Sequence, residues 1–436
     1  MNIIILGAGI SGVALAHFLQ EKKSINKITL LEKDSKPGGL LRSYNVKGIA
    51  YDIGPHIIFS KHKEILDKNI KILDNNVHKI RRSNKIIYKN RYVKYPFENE
   101  LSKLPKEDRQ YCLNSFIKNP FEKFKYANMQ QFFLSLFGEG ITRTYLEPYN
   151  RKIWKFDPAF MDTQMVERIP KPPKQDIINS AKGIKTEGYK HQLYFHYPKK
   201  NGIQALFDSY LNTLNKNIND LEIKQKITKV FIKNKKILVK TKDVLKSCDT
   251  LFSTIPLNEF CNIYDNTPKE ILDCAQELKY NSIIIAVVNV KKNIAGNNFA
   301  FMVPDKDIIF HRLSKLDFLG KNYSIKGTTS FLVEITFREG DLISKTSNKN
   351  LIKKIYDGLK KIKFVKKFTD INFFQIKKFK YAYVIYDLDH RKNVDKITRY
   401  FKKKNIHFAG RLGSWEYLNS DQVIFQAEEI IKNLNK

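Results

Sequence analysis

The sequence predicts an α/β fold in which one domain, built from the start, middle and end of the chain, is interrupted by a helical insert and an antiparallel β-sheet domain. Three observations predict it. The first 32 residues read as strand, glycine turn, helix and strand. The stretch from about 98 to 182 is helical in its apolar periodicity, and from about 280 to 395 apolar runs of strand length dominate. A chain of 436 residues is also too long for one small core, which suggests two or three domains.

Taken in order, "NIIIL" is a short apolar strand and "GAGISG" follows at once with Gly7, Gly9 and Gly12. "VALAHFLQEK" reads as a helix, and "KITLLEK" as a second strand ending at Glu32. Gly7 permits a tight turn, Gly9 lets backbone approach a pyrophosphate, and Gly12 lets helix and strand pack closely. The helix start offers unpaired N–H groups and a positive dipole end to phosphates. Glu32 stands where a carboxylate accepts from ribose hydroxyls. This unit is the Rossmann-like dinucleotide fingerprint in its proper context, and residues 1–84 form the first part of that domain. "YDIGPHIIFS" places His56 in a Gly-x-His, and a lone histidine is more often structural than catalytic.

"KIIYKNRYVKYPF" (85–97) alternates as a hairpin of the sheet domain. The helical insert spans 98–182, and residues 183–199 return to the sheet domain. Residues 200–279 are the second part of the Rossmann-like domain. Residues 280–395 form the antiparallel-sheet substrate domain, with strands such as "SIIIAVVNV" and "TTSFLVEITF". The tail, 396–436, supplies strand, loop and helix to the first domain.

Composition excludes several classes. The four cysteines show neither a CxxC nor a histidine spacing, so neither structural zinc nor a disulfide framework is expected, and a reducing cytoplasm is. No metal is expected. The N-terminal apolar run has no basic region before it, unlike a signal peptide, and no stretch approaches the roughly 20 apolar residues of a membrane span. The net charge of +34 attracts anions: nucleic acid, an anionic membrane surface or phosphorylated small molecules. The lysines are spread along the chain without a nucleic-acid-binding signature, so nucleic acid is not an expected partner. Peripheral membrane contact remains open.

The residues after Glu32 choose the dinucleotide. "EKDSKPGGLLRS" places Gly38 and Gly39, then Arg42, in the pattern E-x5-GG-x2-R-[ST]. This resembles the FAD superfamily of amine oxidases, phytoene desaturases, protoporphyrinogen oxidases and UDP-galactopyranose mutases. The resemblance implies FAD rather than NAD, paired glycines approaching the cofactor, Arg42 facing its pyrophosphate, and His56 against the isoalloxazine ring. Within the superfamily the tail "FAGRLGSWEYLNSDQVI" resembles the mutases through Gly410, Arg411, Trp415, Tyr417 and Asp421. The insert does so through Tyr149, Lys152, Trp154, Asp157-Pro158 and Arg168-Ile169-Pro170, with Trp154 and Arg168 fourteen residues apart. "GPHIIFSKHKEILD" resembles the longer, eukaryotic-like mutases, since Phe59 replaces a second histidine. Residues 171–190 depart from the short bacterial type.

The resemblance implies an isomerase that interconverts pyranose and furanose forms of a UDP-hexose for cell-surface glycans. Reduced FAD acts there as a nucleophile through N5 and forms a sugar adduct. Gly410, Arg411 and Asp421 then face the flavin. Arg168 and Arg312 clamp the diphosphate, since a guanidinium fork matches phosphate oxygens. Tyr149, Trp154, Tyr381, Tyr383 and Tyr417 supply stacking and packing, with one face of the strand bearing Tyr381 and Tyr383 seeing substrate. His56, Arg168 and Arg312 are the candidate catalytic residues, and a homo-oligomer is expected. For each of these side chains the plainer alternative is a surface ion pair or core packing. The rival enzyme is an FAD-dependent oxidase or desaturase with an apolar channel. A third reading is a non-enzymatic basic flavoprotein docked on membrane or nucleic acid.

Overall fold

A computed structural model describes residues 1–166, 169, 172–186, 193–292 and 294–434. A five-stranded parallel sheet runs in the order Ile406–Phe408, Thr250–Ser253, Asn2–Leu6, Lys27–Leu31, Asn219–Glu222. Three distant parts of the chain therefore share one sheet. Asn2–Leu6 and Lys27–Leu31 are buried at every position but the first, as expected of strands covered on both faces. Helix Ile10–Leu19 packs against the sheet, the C-terminal helix Ser420–Lys432 and helix Gln204–Asn212, so its Ala- and Leu-rich surface is buried nearly all round.

The second sheet has seven strands, in the order Ile371–Val384, Tyr280–Val290, Thr329–Phe337, Arg312–Lys315, Ala300–Met302, Asn84–Tyr88, Arg91–Lys94. It is antiparallel except where Ala300–Met302 lies parallel to Asn84–Tyr88. That one pairing brings the hairpin of residues 84–94 to the rest of the sheet. Alternation along Tyr280–Val290 divides the core. Ile283, Ile285 and Val287 face the insert side, while Ile284, Ala286 and Val288 face a second helix, Asn348–Lys361. This helix lies within the stretch read above as strand-dominated. Its Leu351, Ile355 and Leu359 recur at helical spacing, and Ser347 caps it by accepting from the Asn350 N–H.

The helical insert runs through Met129–Ile141, kinked at Gly138 (φ 70°), a π-helical turn Thr142–Leu146, then Glu147–Trp154. Its last turn is pinned to the large sheet. The Lys152 ammonium donates to the carbonyls of Val303 and Asp305, both at 2.7 Å, and burial draws its pKa down to about 7. Thr336 Oγ1 donates to the Lys152 carbonyl at 3.1 Å. Among the described residues no helix is long and apolar enough to cross a membrane.

Candidate functional site

The glycine turns meet backbone to backbone. The Gly38 N–H donates to the Ala8 carbonyl at 2.9 Å, and Gly9 bridges Gly38. A Cβ built on Gly39 would lie 3.2 Å from the Gly9 Cα. Gly12 touches the first turn so closely that a Cβ there would sit 2.1 Å from the Gly7 carbonyl oxygen. Among the described residues no side chain caps helix Ile10–Leu19, which leaves its first-turn N–H groups to a ligand. Glu32 is buried and accepts from the Ala8 N–H through one oxygen and the Asp34 N–H through the other, both at 3.0 Å. A carboxylate with two such bonds retains lone pairs for ribose hydroxyls. Arg42 pairs with Asp34 at 2.6 Å and donates through Nε to the Gly39 carbonyl at 3.3 Å. It braces the paired-glycine turn. At the far end, Gly410 (φ 79°) presses on the same helix, and a Cβ there would meet Ser11 Oγ at 1.9 Å.

A cavity of ≈ 240 Å³ opens between the seven-stranded sheet and the loops that carry residues 53–59 and 411–419. Its wall includes Pro55 and His56, Arg82 and Asn84, Tyr95, Phe299, Met302, Arg312, Tyr383, Arg411 and Tyr417. His56, Arg312, Tyr383, Arg411 and Tyr417, widely spaced in sequence, are thus brought together. Trp154 stands behind Tyr383 and Tyr417, edge-on at 5.6 and 5.5 Å between ring centroids, with its Nε1 donating to Asn150 Oδ1 at 2.8 Å. Tyr149 stacks on Tyr145 at 5.3 Å; burial raises its phenol pKa, and the nearby Arg312 opposes that rise.

Tyr381 goes elsewhere. Across the strand pair, Ile283 faces Phe379 but Asn281 faces Tyr383, so the edge strand bulges between them. Tyr381 packs on Tyr280 at 4.5 Å and Trp415 at 6.3 Å and does not line the cavity. Asp421 is buried in the first turn of the C-terminal helix, beside the Ser60 side chain, and burial raises its pKa. Arg168 lies outside the described residues. Arg82, Asn84 and Tyr95 line the cavity without having been singled out in the sequence. The one available signal was their place at the two open ends of the predicted hairpin.

The N-terminal unit matches the family model of the NAD(P)-binding Rossmann-like domain over residues 5–68. The fold is similar to that of a reduced UDP-galactopyranose mutase, with a TM-score of 0.90, 23 % identity and coverage of 100 % of this chain and 95 % of that one. In sequence the chain is 21 % identical to a coproporphyrinogen III oxidase of Staphylococcus aureus over 61 % of its length and 63 % of the relative's, less than two thirds of that protein. It is also 21 % identical to a protoporphyrinogen oxidase of Dictyostelium discoideum over 70 % of both chains. The chain shares the fold of that mutase around its Rossmann-like unit. FAD is the cofactor that fits this site: a glycine cradle closed to side chains, an uncapped helix start and a buried ribose carboxylate all belong to it.

In this fold the cavity wall carries three guanidinium groups. Arg82, Arg312 and Arg411 line it, and among the described lining residues there is no carboxylate. The fully buried Glu334 stands just behind and holds Arg312 in a fork, Nη2 to Oε2 at 2.6 Å and Nε to Oε1. Arg411 donates to the Leu418 carbonyl at 2.8 Å and the Ala382 carbonyl at 3.1 Å, with its guanidinium 4.9 Å from the Tyr417 ring centroid. Burial, then the charges of Arg411 and Arg312, lowers the His56 pKa to about 3. The imidazole is therefore neutral near pH 7. Among the described residues its buried Nδ1 has no hydrogen-bond partner.

The segment carrying His56 is anchored by Asp52. Ser43 Oγ donates to Oδ1 at 2.6 Å, Tyr197 Oη to Oδ2 at 2.6 Å, and the Ile203 N–H to Oδ1 at 3.1 Å. Burial outweighs these bonds and raises the Asp52 pKa to about 6. A folded-state pKa above the unfolded value contributes stability that is full below the unfolded pKa of about 4 and is lost as pH rises through about 6. Denaturant unfolding of the wild type and Asp52→Asn at pH 4 and 7 is expected to show the wild type losing roughly 2–3 kcal/mol relative to the variant. A constant difference between the two proteins across that range rejects the assignment.

Proposed function

We propose that this flavoprotein is a mutase that interconverts the pyranose and furanose forms of a nucleotide-sugar, a UDP-hexose, in the cytoplasm. The observation that carries the reading is the convergence of Arg82, Arg312 and Arg411 on one aromatic-walled cavity without an acidic lining residue. Such a wall suits a diphosphate, whereas a polyene desaturase calls for an apolar channel. When bound and reduced, FAD supplies the nucleophile for the anomeric carbon. Arg312, fixed in orientation by Glu334, and Arg168 hold the diphosphate. Tyr383 and Tyr417, backed by Trp154, pack the sugar and exclude water. Neutral His56 shapes the flavin side of the cavity, with Nδ1 free to accept or donate a hydrogen bond there. Gly410, Arg411 and Asp421 complete that side.

The test is incubation of the purified flavoprotein with UDP-galactofuranose, with and without dithionite, followed by chromatographic separation of the products. UDP-galactopyranose is expected with reduced protein only. UDP binding without interconversion points to another nucleotide-sugar. Absence of UDP binding, together with turnover of a porphyrinogen, overturns the reading in favour of an oxidase, the chemistry of the two curated relatives.

A further inference from the structure

The strongest feature outside the cavity lies on the far end of the helical insert. The segment "IKNPFEKFKY" (117–126) joins helix Lys106–Ile117 to helix Met129–Ile141. It is an ordered loop that exposes apolar side chains. The Asn119 amide donates to the carbonyls of Leu134 and Ser135, both at 2.9 Å, and its Oδ1 accepts from the Phe121 N–H at 3.0 Å. Phe121 and Phe124 meet edge-on at 5.8 Å. With the loop held in this way, Phe124 is 62 % exposed and Ile117 56 % exposed. Phe160, 60 % exposed, belongs to a turn joined to the same end of the insert by the Met129 N–H bond to the Met161 carbonyl, 2.9 Å. Folding leaves several large apolar groups in water at one place, which a soluble surface rarely does without a partner.

Among the described residues, the charges of the loop 117–126 that no ion pair takes up are of one sign. Lys118, Lys123 and Lys125 interleave with the aromatic residues. The one acid of the segment, Glu122, is taken up by Lys174. Apolar tips among these ammonium groups suit an anionic lipid surface, where the rings and the isoleucine enter the interface and the lysines meet headgroup phosphates. A second copy of the chain is a poor occupant, since each copy carries a net charge of +34 and would bring the same positive face. Nucleic acid would use the lysines and rings but has no use for an exposed aliphatic tip such as Ile117.

We propose that this loop docks the protein on an anionic membrane surface, by an attachment that needs no spanning segment. The proposal stands independently of the reaction assigned to the cavity. It is tested with the full-length flavoprotein and vesicles of phosphatidylcholine, with and without phosphatidylglycerol, at near-physiological salt. The wild type is expected to co-float with the anionic vesicles only. Ile117→Ser with Phe124→Ser, and separately Lys118→Gln with Lys123→Gln and Lys125→Gln, are each expected to weaken binding by about tenfold or more. Lys345→Gln with Lys353→Gln and Lys354→Gln, which removes the same charge from another face, is expected to retain binding. Equal loss in that control assigns the binding to bulk charge and overturns the proposal. So does an absence of vesicle binding, a preference for single-stranded DNA over the vesicles, or concentration-dependent self-association that the serine variant abolishes.

Discussion

Gly9→Ala is expected to fold like the wild type and to lose its flavin, whereas Gly12→Ala is expected to lose both flavin and stability. The two glycines sit three residues apart, and steric contact separates them. Gly9 has φ −79°, open to any residue, and a Cβ there meets the Gly39 backbone at ordinary distances, Cα at 3.7 Å and N at 4.0 Å. The added methyl costs the apoprotein little, yet it enters the gap between the two glycine turns that a dinucleotide diphosphate must approach. At Gly12 the added methyl would lie 2.1 Å from the Gly7 carbonyl oxygen and 3.3 Å from Ile5 Cγ2. Neither atom is the loose end of a flexible side chain, so helix Ile10–Leu19 must back away from the first strand. Overpacking of this kind costs about 1–3 kcal/mol and misplaces the phosphate-facing helix start. Flavin absorbance per mole of purified protein and thermal unfolding of both variants decide the matter. A Gly9→Ala protein that keeps its flavin removes that gap from the cofactor site, and a Gly12→Ala protein of unchanged stability contradicts the packing.

Arg312→Ala is expected to be the most damaging single change in the cavity, for two separable reasons. Its guanidinium holds the fully buried Glu334 in a fork. Removing one partner of a buried pair leaves the other uncompensated, at about 3–5 kcal/mol. The proposed diphosphate contact disappears as well. Arg312→Met combined with Glu334→Leu distinguishes the two effects, because replacing both charges by apolar groups restores much of the stability. Denaturant midpoints should show the double variant well above Arg312→Ala. Calorimetric titration should show UDP binding weakened at least about tenfold in both, as expected for loss of a charge-assisted bond. A double variant that binds UDP as the wild type does limits Arg312 to a structural role.

The glycine cradle was legible because each of its requirements is local. A tight turn, a helix start and a strand-end carboxylate are encoded by residues a few positions apart, and the sequence spacing is the spatial spacing. Gly7, Gly9, Gly12, Glu32, Gly38 and Gly39 could be read in this way, and the structure sets them side by side. The parallel and antiparallel sheets were legible for a related reason, since burial on two faces writes continuous apolar strands such as "SIIIAVVNV". The helix Asn348–Lys361 was missed among such strands because "NKNLIKKIYDGLKK" is mostly lysine and polar, and only the sheet face it covers explains its narrow apolar stripe.

The cavity belongs to tertiary structure. Arg82 and Asn84 reach it because Ala300–Met302 pairs in parallel with Asn84–Tyr88 across more than two hundred residues. Glu334 reaches Arg312 because their strands are neighbours in register, Arg312 opposite Glu334. Tyr383 enters and its near neighbour Tyr381 turns to Trp415, since a bulge between them breaks the two-residue alternation. By itself the sequence determined where a dinucleotide can be cradled, through backbone rules that act over a few residues. Which side chains stand over the cofactor was decided by strand pairing and bulges. These are long-range contacts whose energies depend on the whole assembled core, and no local spacing records them.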